Sequence, residues 1–347
     1  MKPNKEGTEW QLQIKEESLT MPYRWCTCYK HYNKTIYKMK NTKSRRNFLK
    51  ISSTAVLGTM VGCSYSSSTK VDTKAAGLAT IHNTEEFLLS GPANRTFRIQ
   101  VSRPHADDPD YTWTKQGVTP VPVYVIDGGY AFGMFSNIAR YLQWGGLSPI
   151  MVIGIAYEDQ NKEALELFRM HDLTPPDKNF TSSWDDTLGP ESVGGAPDFR
   201  EFLIGTLKPL IENKYNVDAT KSILYGHSLG GLFALNTMLK APNAFSGILS
   251  LSPSLWFEQH HLLKTLKNRL DNDFRFSGKI AVYAGGKEEE IAGEKYKMTS
   301  NVEELKAIVL EHSSSFGGYD IKILPDRTHH NILGQGITEG LEFLVSS

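Results

Sequence analysis

Tyr225-Gly226-His227-Ser228-Leu229-Gly230-Gly231 decides the reading of this chain. The string has the form Gly-x-Ser-x-Gly. It follows a short apolar run at 222–225 and opens a mostly apolar stretch at 229–240, long enough for a helix. A strand, a tight turn and a helix are therefore expected, with Ser228 on the turn. Gly226 and Gly230 would remove Cβ atoms that so tight a turn cannot hold. The turn lifts the serine hydroxyl above a sheet edge and lays the Leu229 N–H beside it, at a helix start where positive partial charge gathers. Ser228 is thus a candidate nucleophile and Leu229 a candidate oxyanion donor. The competing reading is a glycine-rich turn ahead of a helix.

Outward from the turn, strand and helix alternate. Downstream, 245–251, 279–284 and 321–324 read as strands, and 256–270, 302–311 and 332–345 as helices. Upstream, 96–101 alternates apolar and polar, as a half-buried strand does. The runs at 121–126 and 150–156 are dense in Val and Ile and suit strands buried on both faces. Residues 199–213 space their apolar side chains as an amphipathic helix does, and Pro209 predicts a kink or a break there. The pattern predicts an α/β fold, a mostly parallel sheet flanked by helices, with reactive groups beyond the carboxyl ends of strands. Segment 157–198 carries Pro175-Pro176, paired aspartates and several glycines, yet also Phe and Trp. It is expected to be a lid-like insertion or binding loop.

A serine hydroxyl needs a base, and the base an orienting acid. In this arrangement the acid and then the histidine follow the serine along the chain. The strand at 279–284 ends in Gly285-Gly286-Lys287-Glu288-Glu289-Glu290, on the active edge of the sheet. Glu288 is the preferred acid and Glu289 the alternative; three consecutive glutamates also read as a solvated acidic run. After the last strand comes Asp326-Arg327-Thr328-His329-His330-Asn331. Two adjacent histidines point apart, so one of them can serve as base while the other lines the pocket or caps the helix. His227, inside the turn, reads as packed beside the serine at the substrate pocket rather than acting as the base. A second oxyanion donor is expected from Asp127-Gly128-Gly129-Tyr130, through the N–H of Gly129 or Tyr130. No zinc, calcium or nucleotide-binding pattern is present, so neither a metal nor a cofactor is implied.

The chain has 347 residues with 38 basic and 38 acidic side chains. That zero balance excludes partners held by bulk charge, nucleic acid above all. The charge is nonetheless uneven. The first 62 residues hold twelve Lys/Arg against four Asp/Glu, and the other 285 hold 26 against 34. Ser44-Arg45-Arg46-Asn47-Phe48-Leu49-Lys50 precedes a short apolar stretch, 51–62, and then Cys63. Twelve residues are too few to span a bilayer, which takes about 20. The string resembles a twin-arginine export signal ending in a lipoprotein cleavage site, with Met60 where Leu is usual. The expected organisation is a non-functional extension at 1–38, a signal at 39–62, a lipidated Cys63 with a tether to 84, and a catalytic body at 85–347. The membrane would then be reached through the lipid anchor only. Cys26 and Cys28 lie upstream of the signal, so the body has no cysteine.

Several strings in order resemble the putative-esterase (esterase D-like) family of α/β hydrolases. They are Val123-Tyr124-Val125-Ile126-Asp127-Gly128, Phe168-Arg169-Met170-His171-Asp172-Leu173-Thr174-Pro175, Gly194-Gly195-Ala196, Gly226-His227-Ser228-Leu229-Gly230-Gly231 and Ser252-Pro253-Ser254-Leu255-Trp256. The resemblance implies an α/β-hydrolase fold and a serine carboxylesterase. The Arg-x-x-Asp-Leu-Thr-Pro and Ser-Pro-Ser-x-Trp strings are similar to those of esterases that open trilactone siderophores. The closing motif there, Glu-Asn-His-x-Ser, aligns His329 with the catalytic histidine. The resemblance also implies that Arg169 and Trp256 border the substrate pocket, where Arg could pair an anion and Trp stack on a ring. Three alternatives accompany the general carboxylesterase. They are a ferric-siderophore trilactone esterase, an esterase removing feruloyl or acetyl groups from polysaccharide, and a non-catalytic ligand-binding lipoprotein. Oligomeric state is left open.

Overall fold

A computed structural model describes residues 80–104, 117–159, 161–180 and 188–346. The expected signal, the anchor at Cys63 and most of the tether lie outside these residues. Residues 78–347 form one unit. Among the described residues, the sheet and both core clusters lie within it.

The eight strands are β1 (Thr84–Ser90), β2 (Thr96–Ser102), β3 (Val121–Ile126), β4 (Ile150–Tyr157), β5 (Ile223–His227), β6 (Gly247–Leu251), β7 (Phe276–Gly285) and β8 (Phe316–Leu324). They lie in the order β1-β2-β4-β3-β5-β6-β7-β8. The β1–β2 and β2–β4 pairs are antiparallel, and every pairing from β4 to β8 is parallel. Every residue of β3 and β4 is buried, as expected for strands covered on both faces. In β2 the inward residues alternate: Phe97, Ile99 and Val101.

Helices cover both faces. On one lie α1 (Gly128–Trp144) and α9 (Leu333–Val345), closing a cluster around Phe135, Tyr225 and Leu341. On the other lie α2 (Lys162–Leu173), α3 (Ala196–Glu201), α4 (Lys208–Lys214), α5 (Leu229–Lys240), α6 (Phe257–Asp271) and α8 (Met298–Glu311). The short α7 (Glu288–Ala292) caps the β7 end.

The structure differs from the sequence expectations at three places. The helical path does not break at Pro209; α3 runs into α4 through a π-helical turn, Phe202–Leu207. Proline has no N–H to donate and its ring crowds the carbonyl four residues back, and widening the preceding turn relieves both. Segment 157–198 is not simply a loop. It contains α2, whose Asn161 side chain caps the Glu163 and Ala164 N–H groups at 3.0 and 3.2 Å, and whose Leu165, Met170 and Leu173 are buried. The glycines after β3 do not make an open loop either, because α1 starts at Gly128. A Cβ there would lie 2.6 Å from the Ile155 nitrogen, so glycine lets the helix begin against β4.

Candidate active site

Ser228 sits between β5 and α5 with φ +58° and ψ −118°, a conformation that non-glycine residues adopt where function requires it. The turn is held by Ser228 N–H to the Leu251 carbonyl at 3.0 Å and Ser254 N–H to the Ser228 carbonyl at 3.1 Å. Gly226 is needed for close approach: a Cβ there would lie 1.9 Å from the Gly230 carbonyl oxygen. Gly230 has more room, its nearest neighbour being 3.3 Å away, and the tighter second position is Gly231, 2.8 Å from Ser250 Oγ. Replacing Gly226 with alanine is therefore expected to cost on the order of 4 kcal/mol or more. Thermal unfolding followed by circular dichroism measures it, as a large drop in Tm or loss of folded protein.

Glu288 begins α7 and is fully buried. Its Oε2 lies 2.8 Å from His329 Nδ1, and its Oε1 accepts from Ser252 Oγ and from the Gly285 N–H, each at 2.5 Å. Burial by itself raises the carboxyl pKa, but the hydrogen bonds from His329, Ser252 and the Gly285 amide outweigh it, and the net shift is downward. Glu288 is thus held as a carboxylate facing an imidazole. The loops that carry the pair are joined by Gly286 N–H to the Leu324 carbonyl at 2.8 Å and Lys287 N–H to the Arg327 carbonyl at 3.0 Å. Glu289 faces elsewhere: it accepts from the Ser300 N–H and hydroxyl, at the first turn of α8.

His227 Nε2 lies 2.7 Å from the His329 carbonyl oxygen, so that nitrogen carries the proton. Burial, followed by the neighbouring His329, pushes its pKa down to about 3 and keeps the ring neutral. The ring lies 4.5 Å from the His329 ring, tilted by 43°, and lines neither of the two cavities that meet at Ser228. It supports the backbone of His329, where the sequence had placed it in the substrate pocket.

Of the two oxyanion candidates after β3, Tyr130 gives its N–H to the Asp127 carbonyl at 2.9 Å, and its side chain is exposed. That departs from the expectation for Tyr130, and the physical reason is that α1 has already begun. Gly129 lies one residue earlier in that first turn, too early for its amide to reach a carbonyl four residues back within the helix. Leu229 is likewise the first residue of α5. Asp127 itself is left-handed, with φ +60°, and Arg169 grips its carboxylate through Nε at 2.6 Å and Nη2 at 2.9 Å. Arg169 is therefore not a free cation awaiting an anionic substrate. Burial would lower its pKa, but the Asp127 carboxylate reverses this and raises it.

The rest of the 168–175 string has bonding partners of its own. Asp172 is buried, with a carboxyl pKa raised chiefly by burial. It takes hydrogen bonds from Arg95, from the Tyr157 hydroxyl at 3.2 Å and at the His171 ring at 2.8 Å. Thr174 Oγ1 donates to the Met170 carbonyl at 2.6 Å and closes α2.

Ser228 lies where two cavities meet. One, of about 400 Å³, is lined by His329, His330, Thr328, Tyr296, Met298 and Ile291. The other, of about 820 Å³, is lined by Arg169, Lys162, Glu163, Glu166, Met170 and Leu229. Ser228, Ser254 and Trp256 border both, so Trp256 stands at the junction. The sequence reading missed Ser252, which holds Glu288, and Ser254, whose Oγ is 3.3 Å from that of Ser228. Their signal was the alternation in Ser252-Pro253-Ser254-Leu255-Trp256 just past the end of β6: the first, third and fifth residues of the string face the site.

The chain is 33% identical over 192 residues to the ferri-bacillibactin esterase BesA of Bacillus subtilis, a match covering 53% of this chain and 63% of that protein, under two thirds of its length. It is 26% identical over 291 residues to the siderophore enterobactin esterase of Emericella nidulans, covering 76% of this chain and 93% of the other. Among solved structures, the siderophore hydrolase EstA from Aspergillus nidulans shares the fold with a TM-score of 0.67 at 24% identity, over 78% of this chain and 98% of that one. Residues 93–318 match the family described as Putative esterase. The chain belongs to that family of esterases and has the α/β architecture of the siderophore hydrolase structure, a mostly parallel sheet flanked by helices.

Proposed function

We propose that this protein is an exported siderophore esterase that opens ester bonds through Ser228, His329 and Glu288. His329 accepts the Ser228 proton at Nε2 while its Nδ1–H stays on the Glu288 carboxylate. Ser228 Oγ attacks the ester carbonyl, and the oxyanion is received by the N–H groups of Leu229 and Gly129. His329 then protonates the leaving alcohol, and water activated by the same ring releases the acyl group. The observation that carries the triad is the 2.8 Å approach of a fully buried carboxylate to His329 beside the Ser228 cleft.

The substrate class is supported by the activities of the relatives and by the cleft. A nucleophile between two cavities suits a bulky ester with large groups on both sides of the scissile bond. The larger cavity sets Lys162 and Arg169 against Glu163 and Glu166, so charge there is nearly balanced. Chromatography of products from a ferric triscatecholate trilactone and a ferric trishydroxamate ester tests the class, with feruloyl and acetyl esters as controls. The expected result is a linear product from at least one siderophore, formed faster than hydrolysis of either control. Absence of any siderophore product alongside turnover of the controls would overturn it.

Arg169 acts as a positioning residue in this reading, because its grip on Asp127 orients the turn that presents the Gly129 N–H. Arg169→Gln is expected to lower kcat by about 10–100-fold with a smaller change in KM, the scale of a small misplacement of catalytic groups. A loss confined to KM would instead mean that Arg169 binds substrate. The export part of the proposal rests on Ser44–Lys50 and the residues up to Cys63, with acylation of Cys63 holding the body at a membrane.

A further inference from the structure

Helix α1 has an unusual outward face. Its buried side carries Ala131, Phe132, Phe135, Ala139 and Gln143. Beyond Gly129, its exposed positions are Tyr130, Met134, Asn137, Tyr141 and Trp144, spaced four, three, four and three, which is a single helical stripe. Tyr130 is 66% exposed, Met134 39%, Tyr141 67% and Trp144 45%. None of the stripe is charged. The only ionised side chain of the helix, Arg140, is buried and donates to the His82 carbonyl and to Ser102. Surface helices ordinarily put charge on their outward side, as α8 does with Glu303 and Glu304. Tyr and Trp have an apolar body and one polar group, the combination that suits a water–lipid boundary.

The chain also enters the body on this helix. Ile81 packs over Gly133, and the His82 carbonyl is the one that Arg140 holds. Sixteen residues separate Cys63 from Thr80, a reach of at most about 55 Å when fully extended. An acylated Cys63 would therefore keep this face within a domain diameter of the bilayer. The residues from 63 onward carry excess negative charge, so bulk charge would not draw them to an anionic surface, and the contact must be aromatic and apolar. Among the described residues no helix is long and apolar enough to cross a membrane; a helix with one uncharged aromatic face can instead lie flat on its surface.

We propose that the Tyr130–Trp144 face of α1 is a lipid-contacting surface that seats the anchored body on the bilayer. The proposal rests on the anchor reading above, and the test is built so that the two fail separately. Residues 78–347 contain no cysteine, so Asn137→Cys gives one labelling site in the middle of the stripe. An N-terminal hexahistidine tag captured on phosphatidylcholine vesicles with nickel-chelating lipid stands in for the anchor. An environment-sensitive fluorophore at 137 should shift to the blue and brighten on capture. The same fluorophore at Glu304→Cys, on α8 across the sheet, should keep its buffer spectrum. Adding Met134→Ser, Tyr141→Ser and Trp144→Ser should abolish the shift at 137 while capture and the circular dichroism spectrum persist. An unshifted label at 137 on captured protein would overturn the proposal, as would an equal shift in the triple variant. A shift that grows with protein concentration without vesicles would assign the face to a second copy of the chain instead. Acylation of Cys63 is read separately, by palmitate incorporation in cells, and its absence would leave the vesicle result standing.

Discussion

Ser228→Ala is expected to lower kcat/KM for ester hydrolysis by a factor on the order of 10⁴–10⁶, with Tm nearly unchanged. The asymmetry follows from the site. Deleting one oxygen removes the proposed nucleophile outright, whereas the backbone of the turn is held by Ser228 N–H and C=O bonds that alanine keeps. Of the side-chain interactions, alanine gives up the 3.3 Å approach to Ser254 Oγ. A residual rate above water is expected, because oxyanion donors and the cleft survive. Purified variant assayed with p-nitrophenyl esters, beside a thermal melt, measures both halves. A loss of activity that tracks a loss of Tm would mean that the turn had been damaged, not the chemistry.

Glu288→Gln is expected to be nearly as damaging, by roughly 10³–10⁴-fold in kcat, although it changes no volume. The reason lies in which oxygen is already committed. Oε1 accepts from Ser252 Oγ and the Gly285 N–H, and the backbone donor cannot reverse its role. The amide oxygen of glutamine must therefore take the Oε1 position, which turns the amide NH₂ toward His329 Nδ1. That nitrogen then has to accept, so the imidazole proton moves to Nε2, where the base function is needed. Glu289→Gln should leave turnover close to wild type, since that side chain bonds Ser300 instead. The stability effect has a defined sign. Because the folded pKa of Glu288 lies below its ordinary value of 4.5, its ionisation stabilises the fold above that pH, and the contribution is lost as pH falls through the folded value. The Tm difference between wild type and Glu288→Gln should thus shrink on acidification below about 4.5. A gap that widens in acid would contradict the assignment of Glu288 as a buried carboxylate.

Much of this site was legible in the sequence because its constraints are local. The Gly-x-Ser-x-Gly turn demands small residues at fixed offsets, and Gly226 shows why. The burial of β3 and β4 follows from their density of Val and Ile and their lack of any charged residue. Glu288 was preferred with Glu289 kept as the alternative, because adjacent residues share composition and differ only in the direction that α7 imposes on them. Tyr130 and Gly129 were not separable, since which amide is spent depends on where α1 begins, and paired glycines read as a loop. The resemblance put Arg169 at the pocket border, where it could pair an anion. Its partner Asp127 lies 42 residues away in the chain and meets it only through tertiary packing. Helix α2 was hidden by its polar content, although Asn161 ahead of it is a recognisable cap.

The mechanism turns on Ser228 being the residue that becomes acylated. Reaction of the protein with a fluorophosphonate, followed by intact mass and peptide mapping, tests this most directly. The prediction is one adduct per chain, on the peptide that carries Ser228, with ester hydrolysis lost in proportion and no adduct in Ser228→Ala. An unmodified Ser228 in active protein, or hydrolysis that persists in Ser228→Ala with the adduct elsewhere, would contradict it.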